Sequence, residues 1–287
     1  MENKFFLKKN MNIKAFNLEN NSRNWNDIFH NPKPVELYSF KTGSVHIHRR
    51  GTINPDHPNA ENILDETLNV PIMAHLIKHQ KFGYYLLDVG LDKSYFYDKY
   101  GGLSVPLKEE FYQAKNENIA YHLDKLKINL KMIFLSHLHS DHIAGLRELP
   151  INIPVVVGKG ELGHYQPEIY GDFLKGVENV YELDFSKLDS ISPMGKCADL
   201  LGDGSLWAIS TPGHTEGHVS FILNGLNQPT LLTMDAAFIN DNIKYGIAPS
   251  DYTWNVSMAQ KSLDMLINFL NEFNNVKVLA GHEYPED

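Results

Sequence analysis

The run Ser136-His137-Leu138-His139-Ser140-Asp141-His142 constrains this chain more than any other feature. It follows the short apolar stretch 131–135, which reads as a strand, and leads into a helix-like turn. In an extended segment residues two apart point to one side, so His137 and His139 can grip one cation through imidazole nitrogens. Asp141 and His142 lie where the chain turns and can face a second cation beside the first. Three further candidates close strand-like stretches in order. His214 lies in Thr211-Pro212-Gly213-His214-Thr215-Glu216-Gly217-His218, Asp235 closes 230–234, and His282 follows 276–280 after Gly281. Zn²⁺ accepts such a mixture of imidazole and carboxylate, and so can manganese, cobalt or iron.

The rest of the chain alternates strands and helices around these positions. Strands are expected at 35–40, 44–48, 72–78 and 84–89, then at 131–135, 153–157, 206–210, 219–223, 230–234 and 276–280. Residues 51–69 read as a long loop, and 107–126 as one or two helices. The clearest helix spans 256–273, with Ala259, Leu263, Leu266, Ile267, Leu270 and Phe273 on one face. Residues 1–34, rich in Asn, read as an N-terminal arm or cap, and 35–287 as the body. Strands mixed with helices, with chemistry at strand ends, point to sheets sandwiched between helices.

The ordered set H-x-H-x-D-H, TPGHTEGH, Asp after a strand and Gly-His near the end resembles the metallo-β-lactamase superfamily. Within it the chain is most similar to the N-acyl homoserine lactonase group, helped by Val70-Pro71-Ile72-Met73-Ala74-His75-Leu76-Ile77 leading to Leu87-Asp88-Val89-Gly90. The resemblance covers roughly residues 35–285. It implies an α/β fold, an αββα sandwich of two mixed sheets flanked by helices. It also implies two divalent metal ions, with zinc expected. His137, His139 and His214 would hold one and Asp141, His142 and His282 the other, with Asp235 bridging. Asp141 and Asp235 would then belong to the catalytic apparatus, attack coming from a hydroxide shared by the metals. His218 is expected to support the site rather than bind metal, and His30, His46, His48, His57, His75, His79, His122 and His164 to lie mostly at the surface.

The implied reaction is opening of the lactone ring of N-acyl homoserine lactones, which would quench bacterial signalling. His139 stands where di-iron oxygen reductases place Glu, and Cys197 is out of register for a β-lactamase ligand. Glyoxalase II-like thioesterases share the ligands but usually show Gly-Asp where this chain has Met234-Asp235; a thioesterase or phosphodiesterase is the alternative, and a non-catalytic metal-binding protein a third. Many lactonases carry a Tyr three residues after the bridging Asp. Here that position is Phe238, which cannot donate a hydrogen bond; Tyr245 is a nearby candidate. Tyr95, Phe96, Tyr97, Tyr100, Phe111 and Tyr112, or Trp25 and Phe29, could line a slot for an acyl chain.

Composition narrows the partners. A net charge of −9 with a pI near 5.8 lacks the footprint of a nucleic-acid binder. No apolar run reaches membrane-spanning length, and residues 1–21 do not read as a secretory signal. A single cysteine forms no internal disulfide, so a cytoplasmic location is expected. The resemblance adds a small-molecule acyl lactone as substrate and a homodimer as the expected assembly.

Overall fold

The computed structural model describes residues 11–18 and 23–285. They divide into two compact units: one holds the chain up to Phe16, Leu37–Ile47 and Leu68–Leu183, the other Asn17–Glu36, His48–Thr67 and Asp184 onward. The architecture is α/β, with one mixed sheet and its helices in each unit.

The sheet of the first unit has eight strands: β1 (Asn12–Ala15), β2 (Val35–His48), β3 (Thr67–His79), β4 (Gly83–Leu87), β5 (Glu110–Tyr112), β6 (Leu130–Phe134), β7 (Val155–Gly158) and β8 (Asn179–Leu183). Their order is β1-β8-β7-β6-β4-β3-β2-β5. β4, β6, β7, β8 and β1 pair in parallel, and β3–β4 and β2–β5 antiparallel. Near-continuous burial along β3 and β7 fits strands covered on both faces.

Three expectations change here. The strands expected at 35–40 and 44–48 are one, because Thr42 is buried in mid-strand, donating to the Ile72 carbonyl (3.1 Å) and accepting from the Leu91 N–H (3.2 Å). The stretch expected to hold one or two helices supplies edge strand β5, whose Phe111 is buried, before the helix Ile119–Leu126. β1, β8 and the β9 described below were not expected; β1 and β9 have only four and three residues, too few for periodicity to register.

The second unit carries β9 (Cys197–Asp199), β10 (Leu206–Ser210), β11 (Val219–Asn224), β12 (Pro229–Met234) and β13 (Lys277–Ala280), in the order β13-β12-β11-β10-β9. β9 to β12 run antiparallel, but β12 and β13 are parallel and need a crossover, which the helix Val256–Glu272 supplies. Asn255 caps that helix, its side chain accepting from the Met258 N–H at 3.0 Å. Ala259, Leu263, Leu266 and Phe269 are its fully covered apolar residues, whereas Ile267 and Leu270 are only half-buried.

The stretch expected as an arm or cap is drawn into both units. Ile13 pairs with Val180 at the edge of the first sheet. The helix Trp25–Phe29 sends Trp25 into the core of the second unit, 5.5 Å from the Trp207 ring and 5.4 Å from that of Phe269. Trp25 is therefore a core residue and does not line a slot, and the half-buried Phe29 packs against it. The loop expected at 51–69 is interrupted by short helical turns, and Arg49 at its start pairs with both Glu66 and Asp241. Among the described residues no helix is long and apolar enough to cross a membrane. Cys197 is buried, and desolvation pushes its thiol pKa up, so it is protonated at neutral pH.

Candidate metal centre

In the first unit the ends of β4 and β6 bring His137, His139, Asp141 and His142 together around a residue the sequence reading did not assign to the site, Asp88. This residue is buried and has a positive φ of 54°, in the left-handed region that Asp tolerates better than most residues. Its Oδ1 accepts from the Ser136 N–H at 2.7 Å; its Oδ2 accepts from the Ser136 hydroxyl and from His142 Nδ1, each at 2.7 Å. That arrangement sets tautomers. With Nδ1–H of His142 given to the carboxylate, Nε2 keeps its lone pair. Because the Ser136 hydroxyl spends its hydrogen on Asp88, it accepts from His137 Nδ1 at 2.9 Å, and the lone pair of His137 is again on Nε2.

Packing sets the rings close together. The His137 ring centroid lies 4.6 Å from that of His139 and 4.1 Å from that of His142. Between the first two, the Leu138 N–H donates to the buried Glu161 carboxylate at 3.1 Å. The short helix Ser140–Ile143 then turns the chain so that Asp141 Oδ2 stands 3.6 Å from His142 Nε2. Nearby, burial lowers the His75 pKa to about 4, with Asp88 opposing. Burial, Asp92 and Asp141 push the Tyr95 hydroxyl pKa up.

The second unit gathers His214, Asp235 and His282. Gly213 has φ +139°, and a Cβ there would lie 2.1 Å from the Ala259 nitrogen; only glycine lets the turn before His214 approach the start of Val256–Glu272 this closely. The His214 carbonyl accepts from the Trp254 N–H at 2.8 Å. β12 ends in a register shift and in Met234 at φ +49°, a strained conformation for a non-glycine residue, and this turns out Asp235. Asp235 Oδ2 lies 3.4 Å from His214 Nε2, and Oδ1 3.5 Å from His282 Nε2. A Cβ on Gly281 would stand 2.8 Å from that same Oδ1, so glycine before His282 is required by the approach. His218 braces the group: its Nε2 accepts from the Asp235 N–H at 3.1 Å and its Nδ1 faces the Thr211 carbonyl at 3.2 Å. The Phe238 ring lies against His214 (5.2 Å) and His282 (5.6 Å), an apolar wall.

The separations of 3.4, 3.5 and 3.6 Å suit divalent cations in both clusters. Two N or O ligands on a tetrahedral zinc, at the usual bond lengths, stand about 3.3 Å apart. Of the other histidines, expected mostly at the surface, His30, His46 and His48 are exposed and His57, His122 and His164 half-buried; His75 and His79, buried in β3, are the exceptions.

A family model described as the metallo-β-lactamase superfamily matches residues 71–282, which takes in all seven residues. The chain belongs to the metallo-β-lactamase superfamily. Among similar superfamily proteins are two named N-acyl homoserine lactonase AttM. The one from Azorhizobium caulinodans is 26% identical over 259 residues, covering 87% of this chain and 93% of the relative. The one from Agrobacterium fabrum is 28% identical over 173 residues, covering 54% of this chain but only 59% of the relative's own length. A solved N-acyl homoserine lactone hydrolase, described with the product N-hexanoyl-L-homoserine bound at its catalytic metal center, shares the fold. Its TM-score is 0.69 at 19% identity, covering 88% of this chain and 93% of that one.

Proposed function

We propose that this chain is a two-metal hydrolase that opens the lactone ring of N-acyl homoserine lactones. The observation that carries the reading is the Asp235 carboxylate, whose two oxygens each stand beside a different imidazole, as a bridging ligand's would. His137, His139 and His214 would hold one cation, Asp141, His142 and His282 the other, and Asp235 would be the carboxylate shared between them. When bound, two such cations, zinc first among the candidates, supply Lewis acidity and bring the pKa of water towards neutrality. The chain's own part is to hold the donors in the right protonation state. Asp88 and Ser136 keep the protons of His142 and His137 on Nδ1, and the His218 brace fixes the backbone of Asp235.

An acyl chain needs an apolar slot, and the first unit has a cavity of about 460 Å³, within the usual range for small-molecule sites. Tyr95, Phe96, Tyr97, Phe111 and Tyr112 line it, five of the six aromatics expected for this role; Tyr100 is not among its lining residues. Phe238 favours a second reading, a thioesterase or phosphodiesterase on the same metals, because that wall offers the substrate carbonyl no donor. The two readings separate by proton release from metal-loaded protein mixed with acyl homoserine lactones, simple γ- and δ-lactones, a glutathione thioester and a phosphodiester. Preferential turnover of homoserine lactones is expected. Turnover of the thioester or phosphodiester alone would transfer the chemistry to the second reading.

A further inference from the structure

We infer that Tyr95, which lines the aromatic cavity of the first unit, supplies the bound substrate with the hydrogen-bond donor that Phe238 cannot. The inference rests on the hydrolase reading above and names a residue for it.

Tyr95 belongs to the short 3₁₀ turn Lys93–Phe96, whose N-cap Asp92 accepts from the Ser94 N–H at 2.9 Å. Its ring is fixed on two sides. It packs edge-on against Phe111 with centroids 5.4 Å apart, and a Cβ on Gly101 would lie 2.5 Å from it. The side chain is 2% exposed, yet its hydroxyl closes no hydrogen bond of ordinary length. It is turned towards Ser140 and the Asp141 carboxylate, the segment carrying the clustered histidines of the first unit, and the residue also lines the 460 Å³ cavity. A rigidly held, buried hydroxyl that completes no hydrogen bond, although Ser140 and the Asp141 carboxylate stand near it, is uncommon in a folded chain and calls for an explanation. Here it lies between a cavity lined by aromatic and polar residues and a cluster of cation ligands, where the polar end of an acyl substrate would sit. Packing could be served as well by Phe, which would bury no unmet donor.

Tyr95→Phe separates the two roles, because it keeps the ring contacts with Phe111 and Gly101 and removes only the oxygen. On whichever panel substrate the wild type turns over, kcat/KM should fall about 100- to 1000-fold, the range for losing one donor to developing charge. Thermal midpoint and zinc content per chain should stay at wild-type values. Binding of the ring-opened product, N-hexanoyl homoserine, should weaken in a calorimetric titration of the zinc-loaded protein. Wild-type kinetics and product affinity in Tyr95→Phe would overturn the inference while leaving the hydrolase reading intact. So would a rate loss that tracks lost zinc or a lowered midpoint, which would make Tyr95 structural. A wild type inactive on every substrate would instead remove the hydrolase reading, and this inference with it.

Discussion

Asp88→Asn is a nearly isosteric change with a chemical consequence that can be worked out atom by atom. The carboxylate meets three donors, the Ser136 N–H, the Ser136 hydroxyl and His142 Nδ1–H, each at 2.7 Å. An amide has one oxygen and one NH₂, so whichever way it is turned its NH₂ faces a group that now donates. With the oxygen kept on the Ser136 N–H, the NH₂ faces His142 Nδ1, which must then accept and carry its proton on Nε2. A protonated Nε2 has no lone pair for a cation. Loss of such a supporting carboxylate costs roughly 10- to 100-fold in metal affinity, or about 1.4–2.7 kcal/mol. The mismatched buried donor also lowers the stability of the metal-free fold by about 1–3 kcal/mol. Zinc affinity, measured by competition with a chromophoric chelator, should drop at least tenfold for the site that includes His142. Urea unfolding of the metal-free protein reads the second figure. Wild-type zinc affinity in Asp88→Asn would refute the argument that Asp88 sets the tautomer.

Two more predictions follow from burial. The His75 pKa is lowered to about 4 in the fold, so between pH 6.5 and 4 the unfolded chain binds a proton that the native state refuses. This residue's contribution is flat above 6.5 and stability is lost as pH falls. Between pH 7 and pH 5 the metal-free wild type should lose about 2 kcal/mol more than His75→Gln, and equal losses in urea titrations would contradict it. Trp25→Ala removes a ring packed among Trp207, Phe29 and Phe269 and should cost about 3–5 kcal/mol in unfolding free energy; a change under about 1 kcal/mol would restore the reading of this segment as a loosely held arm.

What could be read from the sequence follows physical lines. Long apolar or amphipathic stretches such as 256–273 and 219–223 announce themselves because their period is set by the face they bury. The ligand candidates are legible because they are chemically unusual residues at strand ends. Asp88 has that same signature, a carboxylate closing a strand in Asp88-Val89-Gly90, but it offers no histidine neighbour in sequence. Its partners His142 and Ser136 are supplied by the parallel pairing of β4 with β6. The integration of residues 12–15 and 25–29 was hidden for a similar reason. A four-residue edge strand and a five-residue helix carry too little periodicity, and what holds them is long-range pairing to β8 and packing on Trp207. The Tyr95 hydroxyl likewise becomes notable only once Phe111 and Gly101 have fixed its ring.

The central claim is that Asp235 joins two cations held by six other side chains. Its most direct test is the metal content of zinc-loaded, buffer-exchanged protein by inductively coupled plasma mass spectrometry, for the wild type and Asp235→Asn. The account predicts two zinc ions per wild-type chain and no more than one per variant chain, with both proteins folded. One ion or none in the wild type, or two retained without the Asp235 carboxylate, would contradict it.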